Sequence, residues 1–153
     1  MTTPKTKDQL IAGLQTSFER VLAYYEGPRA ASPVKVDQWD ARDTLAHFIF
    51  WHDSSTWAIV SATIGGPIWR NPGNADETNA AAVLSHEEES IPELLQQLRW
   101  SQARFVRATR NAPDLEAIIA QRPTGESVTV RARLELLTNH WSSHLQALEA
   151  ASG

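Results

Sequence analysis

The chain has 153 residues, of which 42% are hydrophobic and 21% charged, so we predict a single domain over residues 1–153 with a buried core. It contains no cysteine, which excludes disulfides, thiolate metal ligands and a cysteine nucleophile. The formal charge is −4 without a basic stripe, which argues against nucleic acid as a partner. "MTTPKTKDQL" has no apolar signal core and no apolar run is long enough for a bilayer, so we expect a cytoplasmic protein with no membrane association.

The eight prolines divide the chain into helical windows, because proline disrupts helix interiors and suits loops and first turns. The long proline-free windows are 5–27, 34–66, 93–112 and 124–153. The first is predicted to form a helix with a capping box between Thr6 and Gln9. The second helix is predicted to begin after an N-cap at Asp40 and to end near Ala62, before "GGP".

The third and last helices are the other two long elements. "SIPE" combines a capping box at Ser90 with a proline in the first turn, and the last helix is predicted to start near Thr129. The connection between the second and third helices is long, and we expect a short helix around Ala75 to Leu84 within it. No segment shows convincing strand alternation; "ESVTVRAR" comes nearest. The predicted fold is an all-α four-helix bundle with one long crossover.

The last helix contains two histidines one turn apart, His140 and His144, in the stretch "NHWSSH". On a helical wheel they lie together at the edge of the apolar stripe, so both rings point toward the bundle interior. Such a pair either packs in the core or presents two imidazoles to one metal ion. A metal site needs a further ligand from another helix, and the second helix offers His47 and His52. Helical periodicity alone favours His52, because it aligns with the apolar face.

The stretches "VDQWDARDTLAHFIFW" and "NHWSSH" resemble the DinB-like superfamily of four-helix-bundle proteins. This superfamily includes the N-terminal domains of mycothiol-dependent maleylpyruvate isomerases and relatives of the colibactin self-resistance protein. The resemblance covers nearly the whole chain, including "TKDQLIAGLQTSFERVLAYY" and "DETNAAAV". It implies one metal ligand in "DTLAH" and two on the last helix, which selects His47, His140 and His144. In the isomerases the first ligand of the last helix is a glutamate, so His140 means that their specific activity is not implied.

Three neutral imidazoles would hold a divalent ion and leave a coordination position open. All-nitrogen ligation suits zinc, nickel, copper or iron, and of these we expect zinc or nickel. The resemblance makes thiol chemistry plausible, and with no cysteine in the chain the thiol would come from a small external molecule. His52 then becomes a core residue or a residue that supports a ligand, and His86 in "SHEEES" is expected to lie in a solvated loop.

Two charged residues have open interpretations. Arg133 precedes His140 by seven residues on the same side of the helix, so it either faces an anionic group of a substrate or reaches the surface. Asp43 precedes His47 by four residues and either orients that imidazole or supplies a favourable charge to the first helical turn; we favour the second interpretation.

The tryptophans offer candidate walls for a ligand cavity. Trp51 and Trp141 are candidate cofactor-binding residues, and Trp57 is a third candidate, although aromatic residues at helical spacing more often form core. Trp69, on the crossover, either covers the pocket or contacts a second copy of the chain, and we rank the second role slightly higher.

Together these features predict a metal-dependent enzyme that activates a small thiol or water against a small electrophile, and that forms a weak homodimer. Two alternatives remain open. One is a self-resistance hydrolase that opens a strained ring such as a cyclopropane, epoxide or aziridine. The other is a non-catalytic binding or stress-response module, because a fold does not by itself specify a function.

Overall fold

The computed structural model describes residues 2–152 and contains five α-helices, a short 3₁₀ helix and three short strands in that range. In chain order these are α1 (Lys7–Glu26), the 3₁₀ helix (Pro28–Ala31), α2 (Ala41–Thr63), β1 (Trp69–Arg70), α3 (Ala75–Ser85), α4 (Ile91–Asn111), β2 (Ile118–Gln121), β3 (Ser127–Thr129) and α5 (Val130–Ser152). The four long helices α1, α2, α4 and α5 form the bundle, and α3 lies in the predicted crossover.

The helix starts are set by the predicted capping residues. Thr6 and Gln9 form a capping box at α1, and Ser90 does so with Glu93 at α4. Asp40 caps α2 by accepting a hydrogen bond from the backbone of the third helical residue. Each side chain satisfies a backbone N–H that has no partner within the helix, which explains why local sequence locates these ends so well.

The core lies between the long helices, with α2 packed mainly on α4 and α1 on α5. The predicted apolar stripe of α5 is buried throughout: Val130, Leu134, Leu137, Trp141, Leu145 and Leu148 are each at most 3% exposed. This packing confirms the four-helix bundle. Within residues 2–152, no helix combines the length and the apolar character needed to cross a membrane.

A small three-stranded sheet departs from the all-helical prediction. β2 and β3 pair antiparallel across a turn with Gly125 at φ +89°, and β1 from the crossover joins β2 in parallel. The strands have only two to four residues, too few for alternation to be visible in the sequence. Ile119 and Val128 are buried, and the pairing of β1 with β2 fixes the crossover against the α4–α5 connection.

Candidate metal centre

Three histidines from two helices meet at one point in the bundle. α2 supplies His47 and α5 supplies His140 and His144. Nε2 of His140 lies 3.1 Å from Nε2 of His47 and 2.7 Å from Nε2 of His144. One ring nitrogen of each residue lies within 4.8 Å of the others, and His47 is buried while the other two are half-buried. The structure therefore brings together the three residues that the sequence resemblance selects.

Helix geometry explains why His47 and not His52 joins the pair. His52 lies five residues further along α2 and faces α4, where its Nε2 atom is 2.7 Å from Oε1 of Gln102. It is fully buried beside Trp141, with ring centroids 4.7 Å apart. The apolar face of α2, which carries His52, is thus a different face from the one that carries His47 and meets the α5 histidines.

Asn79 of α3 holds His47 in place, a role that no local pattern in the sequence indicates. Its Oδ1 atom lies 2.8 Å from Nε1 of Trp51 and 3.0 Å from Nδ1 of His47. The indole N–H only donates, so the facing amide atom is an oxygen, and Nδ1 of His47 must carry the proton that it shares with this oxygen. Nε2 of His47 consequently keeps a free lone pair directed at the other two histidines.

Asp43 does not orient His47. Its backbone N–H is held by the Asp40 side chain, and its carboxylate lies 3.8 Å from a guanidinium nitrogen of Arg42. Asp43 therefore belongs to the first turn of α2. The residue that orients His47 is Asn79 in "DETNAAAV" and not Asp43. The sequence could not indicate this contact, because only the tertiary fold brings α3 against α2.

The three imidazoles are held in the neutral form. Burial, followed by the neighbouring His140 and His144, lowers the pKa of His47 to about 3. Burial and the nearby His144, His52 and Arg133 lower the pKa of His140 to about 4. Burial also lowers the pKa of His144, against an opposing effect of Asp37. Neutral imidazole is the form that donates a lone pair to a metal ion.

This donor set fits a divalent metal ion. Nitrogens bound at about 2.0–2.1 Å to a tetrahedral zinc ion lie roughly 3.3 Å from one another. The 3.1 Å separation between His47 and His140 is within a few tenths of an ångström of that value. The 2.7 Å separation between His140 and His144 is shorter and needs a small rotation of one ring. A closed tetrahedral structural site uses four protein donors, whereas a catalytic centre has three and keeps one position open. The three nitrogens here match the second arrangement.

A cavity of about 570 Å³ opens beside the histidines. His47 and His140 line its inner end, and Trp51 and Trp69 form an aromatic wall with ring centroids 6.1 Å apart. Its other lining residues come from the segment after β1, from α3, from β2, β3 and the turn between them, and from α5: Asn71, Ala75, Asn79, Ala120, Gln121, Arg122, Pro123, Thr124, Glu126, Val128, Arg133, Leu136 and Leu137. The small sheet missed by the sequence analysis thus supplies one side of the cavity.

Arg133 lies at this cavity and is 7% exposed, so it does not reach the surface. Within residues 2–152, its buried Nε atom has no hydrogen-bond partner. Burial lowers the pKa of Arg133 to about 10, with a further lowering by Arg122. Arg122 itself is paired, since its Nη1 atom lies 3.3 Å from Oε2 of Glu126.

The tryptophans are divided between the core, the surface and the cavity. Trp141 is 1% exposed and stacks on Phe48 at 4.0 Å between centroids, so it lies in the core behind the histidines rather than in the cavity wall. Trp57 is 49% exposed and lines no part of the cavity. Trp69 does line it.

His86 lies outside the centre. It follows the last residue of α3, and its Nδ1 atom is 2.6 Å from a carboxylate oxygen of Glu89. The residue is half-buried, in contrast with the solvated loop position expected from the sequence.

Comparison with known proteins reveals structural relatives of low sequence identity. No family model and no curated protein matches the chain. A mycothiol-dependent maleylpyruvate isomerase has a TM-score of 0.79 at 14% identity over 97% of this chain and 63% of its own. Uncharacterised proteins from Escherichia coli UTI89 (16% identity, 97% and 94% covered) and Clostridium difficile 630 (12%, 97% and 96%) both have TM-scores of 0.76. The chain thus spans less than two thirds of the isomerase. What these similarities show is the fold: the chain has a mostly helical, DinB-like architecture.

Proposed function

We propose that the protein is a metal-dependent enzyme that binds a divalent ion, zinc or nickel, through His47, His140 and His144. The observation that carries the proposal is the convergence of three Nε2 atoms from two helices. When bound there, such an ion would lower the pKa of a coordinated water or thiol and supply a nucleophile at neutral pH.

The surrounding residues support this role by positioning and shielding the ligands. Asn79 keeps His47 in the tautomer whose Nε2 atom is free. Phe48 and Trp141 pack behind the histidines and exclude water from that side. Trp51 and Trp69 line the cavity that a small substrate would enter.

The substrate is a small electrophilic molecule. The cavity volume of about 570 Å³ falls in the range that accommodates small ligands, roughly 300–1,000 Å³. Because the chain has no cysteine, a reaction with a thiol requires a low-molecular-weight thiol as cosubstrate. The similar isomerase is mycothiol-dependent by name, which supports a thiol as the first cosubstrate to test.

The metal content of untagged protein, purified without chelator, is the direct test. Mass spectrometry of metals should find close to one zinc or nickel ion per chain, and none in His144→Ala. If the wild-type protein contains no metal and takes up none on titration, the proposed enzyme is wrong and a metal-free hydrolase or a binding module becomes the better hypothesis.

The reaction is tested next, with metal-loaded protein and a panel of small electrophiles. Consumption of a low-molecular-weight thiol is followed by a colorimetric assay, and hydrolysis by product mass. Turnover that is present in the wild-type protein and absent in His144→Ala supports the proposal. Equal rates in the two proteins contradict it.

We further propose that the chain forms a weak homodimer through the outer face of α2. Trp57 and Val60 share one helical face there, Ile64 follows the last residue of the helix, and the three are 49%, 44% and 78% exposed. An apolar face of this kind is typical of an association surface. Sedimentation velocity over a concentration series should show dimers that Ile64→Ser weakens, whereas an unchanged monomer at all concentrations rules the dimer out.

A further inference from the structure

The Arg133 side chain is buried without a counter-charge, which is an expensive arrangement for a folded protein. It is 7% exposed, its Nε atom has no partner among residues 2–152, and none of the ion pairs found there includes it. Removing a guanidinium from water costs several kilocalories per mole unless an anion and hydrogen bonds compensate it. A paired arginine would not require further explanation, but this one does.

The position of Arg133 indicates what compensates it. The residue lines the same cavity as His140, and both lie on α5, seven residues and therefore about 10.5 Å apart along the helix axis. Arg122, whose charge acts on Arg133, is itself paired with Glu126. Among residues 2–152, Arg133 is therefore an uncompensated positive charge at the cavity, on the same side of α5 as His140.

We infer that the cavity binds a small monocarboxylate, whose carboxylate pairs with Arg133 while its apolar or aromatic body lies against Trp51 and Trp69 and extends toward the three histidines. A guanidinium pairs with a planar carboxylate through two parallel hydrogen bonds. The guanidinium of Arg133 balances one negative charge, so the second negative charge of a phosphate dianion would stay uncompensated in an apolar surrounding. That the substrate of the enzyme is a monocarboxylate rests on the proposed function. That the cavity binds a monocarboxylate does not depend on it.

The walls of the cavity fit the body of such a ligand. Trp51, Trp69, Leu136 and Leu137 present mostly apolar surface beside the guanidinium. An aromatic or aliphatic acid buries its body on this surface and keeps its charge at the single cation. Because Trp51 donates its indole N–H to Asn79, ligand contact at this wall also has a spectroscopic marker.

The test uses full-length protein from which metal has been removed, so that a carboxylate cannot bind to a metal ion. Benzoate, benzamide and phenyl phosphate are titrated while the indole N–H resonance of Trp51 is followed by nuclear magnetic resonance. We expect saturable shifts with benzoate and at least about tenfold weaker binding of neutral benzamide, as expected for loss of a charged hydrogen-bonded pair. Equal binding of benzoate and benzamide overturns the inference. Phenyl phosphate that binds more tightly than benzoate overturns the choice of a monocarboxylate.

Two variants separate a ligand-binding role for Arg133 from a structural one. Arg133→Met should weaken benzoate binding about 10- to 100-fold and, by removing an unpaired buried charge, raise the Tm of the ligand-free protein by about 2–4 °C. Arg107→Met, at an exposed position of α4, is the matched control and should change neither quantity. Benzoate binding by folded Arg133→Met that equals that of the wild type overturns the inference. Should Arg133→Met fail to fold, Arg133→Lys retains the charge but not the planar fork, and should bind benzoate less tightly than the wild type.

Failure of this inference is distinguishable from failure of the proposed function. A wild-type protein that holds metal but does not bind benzoate refutes the carboxylate site alone. A protein that binds benzoate through Arg133 but takes up no metal refutes the metal enzyme and leaves the carboxylate site in place.

Discussion

Oδ1 of Asn79 accepts a hydrogen bond from Nδ1 of His47 at 3.0 Å and a second from Nε1 of Trp51 at 2.8 Å. The first contact makes Nε2 of His47 a lone-pair donor before any ligand arrives. α3, a short helix in the crossover, is therefore part of the candidate centre although it supplies none of the three convergent nitrogens.

Asn79→Ala should weaken metal binding about 10- to 100-fold, because His47 loses the contact that sets its tautomer and orientation. Competition with a chromophoric chelator measures the change. Asn139→Ala, at an exposed position of α5 directly before His140, serves as the control and should retain wild-type affinity. Equal affinities for all three proteins would show that the Asn79 contact does not influence the site.

His144→Ala should abolish stoichiometric metal binding while leaving the helix content unchanged. The residue is half-buried at the end of the cluster, so its removal takes away a donor without opening the core. Metal analysis and far-ultraviolet circular dichroism measure the two effects. His86→Ala, outside the cluster, should keep the metal. Retention of a full equivalent by His144→Ala would contradict the assignment of this ligand.

His52→Ala should keep the metal and lose stability. The wild-type ring is fully buried between α2 and α4 and bonds Gln102, so its removal leaves a cavity and an unpaired amide. We expect a loss of about 2–4 kcal/mol in the free energy of unfolding, measured by urea titration. If His52→Ala lost the metal while His47→Ala retained it, the two histidines of α2 would have been assigned the wrong way round.

Stability should fall in acid through the buried neutral His52. Burial lowers its pKa from 6.5 to about 4, so the unfolded chain binds a proton at a higher pH than the folded one does. The contribution of neutral His52 to the free energy of unfolding is complete above pH 6.5. It is lost as the pH falls toward 4, and the loss is about 3 kcal/mol in total. Urea titrations of metal-free protein between pH 7.5 and 4.5 measure this slope.

His52→Gln isolates this contribution, because it removes the titrating ring and leaves His47, His140 and His144 in place. Its free energy of unfolding should depend less steeply on pH than that of the wild-type protein. Identical slopes would mean that His52 does not titrate differently in the folded and unfolded states.

The helix ends and the bundle were predictable because their causes are local. Thr6, Asp40 and Ser90 satisfy backbone groups within three residues of themselves, and the α5 stripe follows from a fixed helical period. The three short strands were not predicted, since β1 lies about fifty residues from β2 and their pairing depends on contacts distant in sequence. The same reason explains why Asn79 was missed and why the sequence left open whether Trp141 and Trp57 line a cavity or form core.

The sequence by itself determined that His140 and His144 share one helical face, because residues four apart in a helix always do. It also determined a cysteine-free donor set and a bundle able to bury it. The resemblance selected His47, whereas helical periodicity alone favoured His52. Only the tertiary structure decided that Asn79 orients His47 and that Arg133 is buried without a counter-charge beside a cavity. Those outcomes depend on how α2, α3, α5 and the small sheet pack against one another, and packing between distant segments is specified by the whole core rather than by any local pattern.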